Sequence, residues 1–156
     1  MKKKIEISQL RFNYKNYKKE LLSIKNSDSN PFKQFSKWLN QAIKSNVFEP
    51  TAMSLATLRN NKVSNRIVLL KSVEKNTFIF YTNLKSKKSL DLKENPQASM
   101  CFYWKSLLRQ ITINGVIDQV ADQVADHYFS SRTYDSRIGA WASNQSEILQ
   151  SREDLL

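Results

Sequence analysis

The sequence predicts an α+β fold in which helices flank an antiparallel sheet or small barrel. Five segments rich in β-branched and aromatic residues follow one another along the chain, and short turns join most of them. Strands joined by tight turns pair antiparallel. Helical patterns lie before, between and after these segments, and the length of 156 residues is close to that of one domain.

The N-terminal region divides into a basic arm and a first helix. Residues 1–30 carry eight basic side chains and end in a polar loop, so we expect an arm that is separate from a domain over residues 31–156. Pro31 suits the first turn of a helix. From Pro31 to Asn46, apolar residues recur at intervals of three and four, which predicts an amphipathic helix with one buried face.

The sequence pattern after Asn46 predicts the strands of the sheet and the remaining helices. Strands are expected over Ala52–Leu58, Val63–Val73, Thr77–Thr82, Ala98–Trp104 and Leu107–Val120. Hairpin turns are expected at Asn60-Asn61 and Glu74-Lys75-Asn76. Further helices are expected over Lys85–Glu94 and Asp122–Ser131, from near Ser136 past Trp141, and over Gln145–Leu156.

Composition excludes several classes of site. One cysteine, Cys101, and one histidine, His127, are too few for an ordinary zinc site, and nothing around His127 resembles a nucleophile motif. No apolar run approaches the ~20 residues of a membrane-spanning helix, and no export signal is evident, so we expect a cytoplasmic protein. The net charge of +11 favours an anionic partner: nucleic acid, a phosphorylated small molecule or an acidic membrane surface.

Three segments place positive charge beside hydroxyl groups, as the capture of a phosphate requires. The first is Arg66–Lys71. Its two cations are five residues apart, so they would face opposite sides of a regular strand unless a bulge intervenes. A buried strand flanked by two cations that reach solvent is the simpler interpretation.

The second segment, Tyr81–Ser89, runs from a strand end into a helix start. Lys87, Lys88 and Ser89 could surround a phosphate there, together with free backbone N–H groups. Alternatively, Ser86 caps the helix and the lysines are simply solvated. Cations at a helix N-terminus oppose its dipole, which favours a bound anion nearby.

The third segment, Tyr128–Ser146, places Tyr128 and Arg132 four residues apart. On one helix, a phenol and a guanidinium with this spacing could hold one anion together. The alternative is an ordinary helix face on which Arg132 pairs with Asp135. His127 is interpreted as a structural residue rather than a base.

Together, these segments resemble the pyridoxamine/pyridoxine 5′-phosphate oxidase family, FMN-binding flavoproteins of the split-barrel class. The resemblance is carried, in order, by PTAMSLAT (50–57), RIVLLK (66–71), FYTNLKSKKS (80–89), RQ before a strand (109–110) and YFSSRTYDSRIGAWASNQS (128–146). It covers roughly residues 10–150 and implies an antiparallel split β-barrel with flanking helices.

The resemblance also implies roles for individual residues. It implies FMN binding by Arg66, Ile67, Val68, Leu69, Leu70, Lys71, Tyr81, Thr82, Lys87, Lys88, Gln110, Gln145 and Ser146. It implies substrate binding by Arg11, Tyr14, Lys71, Tyr128, Arg132 and Ser136. Lys87 stands where an arginine is usual in the family, so a bidentate contact to phosphate would be lost there. No catalytic residue and no metal ligand is assigned within this span.

The implied reaction oxidises the C4′ amine or alcohol of pyridoxamine or pyridoxine 5′-phosphate to pyridoxal 5′-phosphate, in the biosynthesis or salvage of vitamin B6. FMN takes up the hydride and dioxygen reoxidises it. Members of the family are homodimers with FMN at the interface. They continue with further strands and an RLH-type motif that this sequence lacks, so we expect the C-terminal strands to be missing and turnover to be weak or absent.

Two alternatives remain open. A split-barrel flavoprotein without this activity, such as a decayed fragment or another flavin reductase, would keep the FMN residues, although Arg132 and Ser136 match the grip on a B6 phosphate. A nucleic-acid binder would use the charge of +11, yet the sequence holds no RNP, KH or helix-turn-helix signature.

Overall fold

The computed structural model describes residues 22–143, 145–148 and 151, and its centre is a five-stranded antiparallel sheet in the order β3-β2-β1-β4-β5. The strands are β1 (Ala52–Arg59), β2 (Lys62–Glu74), β3 (Thr77–Phe80), β4 (Gln97–Trp104) and β5 (Arg109–Val116). The helices are α1 (Pro31–Lys44), α2 (Lys87–Glu94), α3 (Asp122–Ser131) and α4 (Tyr134–Ala142), with short 3-10 turns at Ile24–Asn26 and Lys105–Leu107. The predicted α+β class is confirmed. None of the helices in the described part of the chain is long and apolar enough to cross a membrane.

Helix α1 forms because its sequence supplies a cap and an apolar face. The side chain of Asn30 accepts hydrogen bonds from the backbone N–H groups of Phe32 and Lys33, at 2.9 and 3.2 Å. Phe35 and Ala42 are buried on the face that meets the sheet. The predicted helix is therefore confirmed, although it ends two residues earlier than expected, at Lys44.

Two tight hairpins fix the register of the first three strands. The turn residues Asn60-Asn61 and Lys75-Asn76 all have positive φ, between 46° and 63°. The strand residues on either side of each pair are Cα partners, so each loop has two residues. Two consecutive left-handed residues in a two-residue loop are typical of a type I′ turn, whose twist matches that of the flanking strands. Both predicted turns are confirmed.

The core lies between α1 and one face of the sheet. The ring of Phe35 meets the rings of Phe78 and Phe102 at centroid distances of 4.9 and 5.1 Å. Trp104 is buried beside them and donates from Nε1 to the carbonyl oxygen of Pro50 at 2.9 Å. The other buried apolar residues are Ala42, Met53, Leu55, Leu70 and Met100. The opposite face of the sheet is more open, and Ile67 and Tyr103 are 67% and 61% exposed there.

Two predictions near the chain's end are corrected. Strand β5 ends at Val116, because its partner β4 begins at Gln97 and the ladder between them ends with that pair. The predicted helix does not begin at Gln145, since residues 145–148 form a turn and a bend, and Ser146 has a φ of 73° that no right-handed helix allows. The rest of that helix, apart from residue 151, lies outside the described residues. The division into an arm over residues 1–30 and a following domain stays a prediction.

Replacing Asn61 with valine should destabilise the β1–β2 hairpin, whereas replacing it with glycine should not. The left-handed conformation costs an ordinary L-residue roughly 1–2 kcal/mol, and valine is β-branched. We expect the free energy of unfolding to fall by about 1–2 kcal/mol for Asn61→Val. Urea denaturation followed by tryptophan fluorescence measures the change. An Asn61→Val protein as stable as Asn61→Gly would contradict the assigned turn.

Candidate functional site

An open cleft of about 1420 Å³ lies between β2, the segment that follows β3, and helices α2, α3 and α4. Three separate stretches of sequence meet there, and most of the predicted site residues line it. These residues are Arg66, Ile67, Val68, Leu69, Lys71, Tyr81, Thr82, Lys87, Lys88, Tyr128, Arg132, Ser136, Gln145 and Ser146. The structure therefore brings together residues that are up to 80 positions apart, between Arg66 and Ser146.

Two predicted site residues in the described part of the chain do not line the cleft. Leu70 is buried in the core. Gln110 is exposed on β5, three strands away from β2, which corresponds to roughly 14 Å across the sheet. Arg11 and Tyr14 lie outside the described residues.

Strand β2 forms one wall of the cleft, and one of its two edges is unpaired along part of the strand. Residues 62–69 pair with β1 on one side, whereas β3 pairs only with residues 70–74 on the other. Within the described residues, no strand lies against that second edge at residues 64–69. Backbone N–H and C=O groups there are available to a ligand. Ile67, Val68 and Leu69 can therefore act through the main chain, whatever their side chains do.

A β-bulge brings both cations of β2 to the same cleft. The register between β2 and β3 shifts between Leu70 and Ser72, which leaves Lys71 as an extra residue without a Cα partner on β3. A bulge redirects the side chain at that position. Arg66 and Lys71 both line the cleft, although their odd separation would place them on opposite faces of a regular strand. They are about 16 Å apart along the strand.

The guanidinium of Arg66 is tied to both β1 and α2. Nη1 donates to the carbonyl oxygen of Leu55 at 3.0 Å and to Oγ1 of Thr57 at 2.8 Å. Nη2 lies 3.7 Å from Oδ2 of Asp91 on α2. Burial lowers the pKa of Arg66 from its ordinary value, and the Asp91 carboxylate partly offsets this effect. The guanidinium is thus held in one place at a cost in solvation.

Lys88 is a buried ammonium whose hydrogen bonds all go to neutral oxygens. It is 7% exposed, and Nζ donates to Oγ1 of Thr82 and Oγ of Ser86, both at 3.1 Å, and to Oε1 of Gln145 at 2.7 Å. Burial lowers the pKa of Lys88, and the positive charge of Arg66 lowers it further. A buried charge is costly unless an opposite charge compensates it. Among the described residues no carboxylate pairs with Lys88, so the site favours an anionic ligand.

The start of α2 adds to this positive charge. Ser86 occupies the N-cap position, but its hydroxyl does not cap the helix; it accepts from Lys88 and lies 3.2 Å from Oγ of Ser89. The first turn of α2 contains no acidic residue. Lys87 and Lys88 therefore lie at the positive end of the helix dipole, an arrangement that a bound anion would stabilise. Arg66, Lys87 and Lys88 are called the α2 cation cluster below.

The third predicted segment contributes Tyr128 and a further cation, Arg132, to the cleft. The rings of Tyr81 and Tyr128 are stacked, with centroids 3.7 Å apart and planes 3° from parallel. The guanidinium of Arg132 lies over the ring of Phe129 at 5.7 Å. Lys71, Tyr128, Arg132 and Ser136, which all line the cleft, are called the α3 anion group below.

The simpler interpretation of Arg132, an ion pair with Asp135, is not what the structure contains. The ion pairs among the described residues are Arg59–Glu94, Arg66–Asp91 and Lys87–Asp91. Within the described part of the chain, the contact found for the Arg132 guanidinium is with the Phe129 ring, which leaves its hydrogen-bond donors suited to a ligand in the cleft.

The sequence analysis missed Thr57 and Asp91, which are both buried. Oγ1 of Thr57 donates to Oδ2 of Asp91 at 2.8 Å, and Nζ of Lys87 donates to both oxygens of Asp91 at 3.1 and 3.3 Å. The spacing of Lys87 and Asp91, four residues apart on a predicted helix, was the one available signal. Nothing local pointed to Thr57, because its partner is 34 residues away.

Comparison with known proteins identifies the family to which the chain belongs. The family described as pyridoxamine 5′-phosphate oxidase matches residues 39–155. A pyridoxine/pyridoxamine 5′-phosphate oxidase of Pelagibacter ubique is 54% identical over 127 residues, and one of Haemophilus ducreyi is 47% identical over 140 residues. The chain belongs to the pyridoxamine 5′-phosphate oxidase family. The matches cover 81% and 90% of this chain but 61% and 67% of those relatives, so the chain spans about three fifths to two thirds of their length.

Two solved structures share the fold. PhzG from Burkholderia lata, crystallised in complex with tetrahydrophenazine-1-carboxylic acid, superposes with a TM-score of 0.82 and 29% identity, covering 88% of this chain and 69% of that one. A pyridoxamine 5′-phosphate oxidase-related, FMN binding protein from Nostoc punctiforme gives a TM-score of 0.63 and 17% identity over 81% of this chain and 70% of that one. The predicted split-barrel fold is confirmed.

Replacing Lys88 with methionine should weaken the protein's response to phosphate without destabilising it. Methionine keeps the length of the side chain and removes a charge whose burial opposes folding. Thermal unfolding in increasing inorganic phosphate measures both effects. The wild type should gain about 2.7 kcal/mol at about 100 times its dissociation constant for phosphate, whereas Lys88→Met, with an affinity about tenfold lower, should gain only about 1.4 kcal/mol at the same concentration. A variant that responds to phosphate as the wild type does would contradict the assignment.

The wild type and Lys88→Met also test how the stability contribution of Lys88 depends on pH. The folded state lowers the pKa of Lys88 below 10.5, so between the two pKa values the unfolded chain binds more protons at this site. The contribution of Lys88 to stability therefore rises with pH in that range. Urea denaturation at several pH values should show the wild type gaining stability relative to Lys88→Met as the pH approaches 10.5. A difference that grows in favour of Lys88→Met would refute the lowered pKa.

Proposed function

We propose that this chain binds FMN and a vitamin B6 phosphate in the cleft, and that it oxidises pyridoxamine or pyridoxine 5′-phosphate to pyridoxal 5′-phosphate with dioxygen as the acceptor. The observation that carries the proposal is the buried ammonium of Lys88, surrounded by neutral oxygens beside Arg66. Membership of the pyridoxamine 5′-phosphate oxidase family supports the class of substrate.

The residues of the cleft fit FMN. A phosphate monoester carries a charge of about −1.5 to −2 at neutral pH, and the α2 cation cluster supplies the complementary charge at the start of a helix. Thr82 and Gln145 line the cleft and accept hydrogen bonds from Lys88 of that cluster. Ser146, which follows Gln145 in the sequence, lines the cleft as well. The free edge of β2 at residues 66–69 offers backbone donors and acceptors, which suit the polar edge of a flavin ring.

The α3 anion group would hold the phosphate of the substrate. Lys71 and Arg132 supply charge, and Tyr128 and Ser136 supply hydroxyl donors. A guanidinium can hold two phosphate oxygens at once, so Arg132 would fix the orientation of the phosphate as well as its position.

FMN, when bound, would supply the hydride and electron transfer of the reaction, and the residues of the cleft would hold it. The chain itself binds and orients. Two phosphates held at separate places along β2 limit the ways in which the two ring systems can meet, and such positioning supplies a large share of catalysis in bimolecular reactions. Tyr81 and Tyr128, stacked on each other, connect the cofactor side of the cleft to the substrate side.

We also propose that the site is completed by a second copy of the chain. Gln110 is exposed on β5 and cannot reach the cleft of its own chain. It lies on the same sheet face as Tyr103 and Ile67, which expose apolar surface. A homodimer that buries this face would supply Gln110 to the partner's FMN site. Arg11 and Tyr14 stay predictions as substrate ligands.

Titration of the 156-residue chain with FMN should quench flavin fluorescence until the site is saturated. Arg66→Ala and Lys88→Ala should each weaken binding by about tenfold or more, because each removes a charged hydrogen-bond donor. The matched control is Arg59→Ala, which removes an exposed cation that pairs with Glu94 outside the cleft. It should bind FMN as the wild type does. Absence of quenching by folded wild-type protein would overturn the proposal.

Replacing Arg132 with alanine should separate the two phosphate sites. Binding of pyridoxal 5′-phosphate to the FMN-loaded protein, followed by absorbance, should weaken by roughly tenfold or more. The affinity for FMN should stay unchanged, because Arg132 belongs to the α3 anion group and not to the α2 cation cluster. If FMN binding fell and pyridoxal phosphate binding did not, the assignment of the two phosphate sites would be wrong.

A further inference from the structure

Asp91 is a completely buried carboxylate at the base of the α2 cation cluster. Its exposure is 0%, and two of its described side-chain partners, Arg66 and Lys87, line the cleft, whereas the third, Thr57, is buried behind it. Thr57 and Lys87 donate hydrogen bonds to it, and the Arg66 guanidinium lies 3.7 Å away. A negative charge next to a site for an anion needs an explanation, because like charges repel.

We propose that Asp91 is a positioning residue of the phosphate site, which holds Arg66 and Lys87 in the places from which they bind phosphate. The inference rests on the proposed function and deepens it. It gives a role to a residue that does not touch the ligand and acts through the two cations.

Lys87 needs such a partner. Its side chain is 58% exposed, and a free lysine side chain samples many rotamers, so fixing it on a ligand has a substantial entropic cost. Here Nζ is bonded to both oxygens of Asp91 and to Oγ of Ser64, the last at 2.7 Å. The ammonium is therefore held in place before any ligand arrives, which reduces the cost of binding.

Arg66 is held by the same carboxylate through Thr57. The Thr57 hydroxyl donates to Asp91, so its oxygen is free to accept from Nη1 of Arg66 at 2.8 Å. The carboxylate thus orients the O–H bond of Thr57, and this orientation leaves the hydroxyl oxygen directed as an acceptor toward the guanidinium. Asp91 lies on α2, Thr57 on β1 and Arg66 on β2, so these contacts connect three elements of the fold.

The charge of Asp91 is maintained although the group is buried. Burial alone would raise the pKa of Asp91, but the hydrogen bonds from Thr57 and Lys87 and the positive charges of Lys87 and Arg66 outweigh it, so the pKa lies below its ordinary value. With Asp91 ionised, three cations and one carboxylate leave a net charge of +2, which complements a phosphate dianion.

Positioning and simple attraction predict opposite results for Asp91→Asn. This variant keeps the shape of the side chain and removes its charge, so attraction alone would make phosphate bind more tightly. If Asp91 positions the cations, the Kd for FMN should instead rise by about tenfold. Riboflavin, which has the same ring but no phosphate, should bind equally well before and after the change.

The experiment measures the Kd of FMN and of riboflavin by fluorescence, for the wild type, Asp91→Asn and the matched control Glu94→Gln. Glu94 is an exposed acid on the same helix whose partner, Arg59, lies outside the cleft. The control should leave both affinities unchanged. In a Lys87→Met background, Asp91→Asn should have a smaller effect, because one of the two cations it positions is gone.

Three results would overturn the inference: tighter or unchanged FMN binding by Asp91→Asn, an equal loss of FMN and riboflavin binding, or a full effect in the Lys87→Met background. If Asp91→Asn does not fold, Thr57→Val decides the matter, since it breaks the link to Arg66 and keeps the carboxylate. A selective loss of FMN affinity supports positioning, and unchanged affinity refutes it. Wild-type protein that binds neither FMN nor inorganic phosphate would instead refute the proposed function.

Discussion

The hydrogen bonds among Asp91, Thr57 and Arg66 join three elements at the base of the cleft, and the geometry of the site depends on them. Thr57 belongs to β1, Arg66 to β2 and Asp91 to α2. Because Thr57 and Asp91 are fully enclosed, loss of any one partner would leave a buried polar group unsatisfied. The link therefore sets where α2 begins relative to β2, and with it where the cations of the first helical turn lie.

Concentrating positive charge in this way works against folding. Arg66 and Lys88 both lose solvation, and each has a lowered pKa for that reason. Asp91 compensates part of the charge, but Lys88 has only neutral oxygens around it. A second carboxylate beside Lys88 would compensate its charge without any ligand, but it would compete with a phosphate for the same ammonium. An anion bound beside Lys88 would therefore stabilise the folded state, and its absence leaves the buried charge uncompensated, as is common where stability and function oppose each other.

Local features of the fold were predictable, whereas features that depend on distant partners were not. The Asn60-Asn61 turn follows from two residues that tolerate positive φ, and α1 follows from Asn30, Pro31 and an apolar period. The helix expected at Gln145 failed because that side chain is held by Lys88, 57 residues away, where the chain turns. The site residues were predicted from the family resemblance rather than from local patterns. Periodicity alone could not predict which face of the sheet carries the Lys71 side chain, because that depends on the β-bulge between Leu70 and Ser72.

The short length of β3 explains why β2 can serve as the wall of a binding site. β3 has four residues and pairs with β2 only beyond residue 69, so the preceding half of β2 keeps an open edge. An open edge is normally a liability, because another strand can pair with it. Here the edge faces the cleft, which helices α2, α3 and α4 also line, so these helices limit the access of another strand. A longer β3 would pair with the backbone of residues 64–69 and close this edge of β2. The bulge at Lys71 therefore lies at the boundary between the part of β2 that pairs with β1 and the part that pairs with β3.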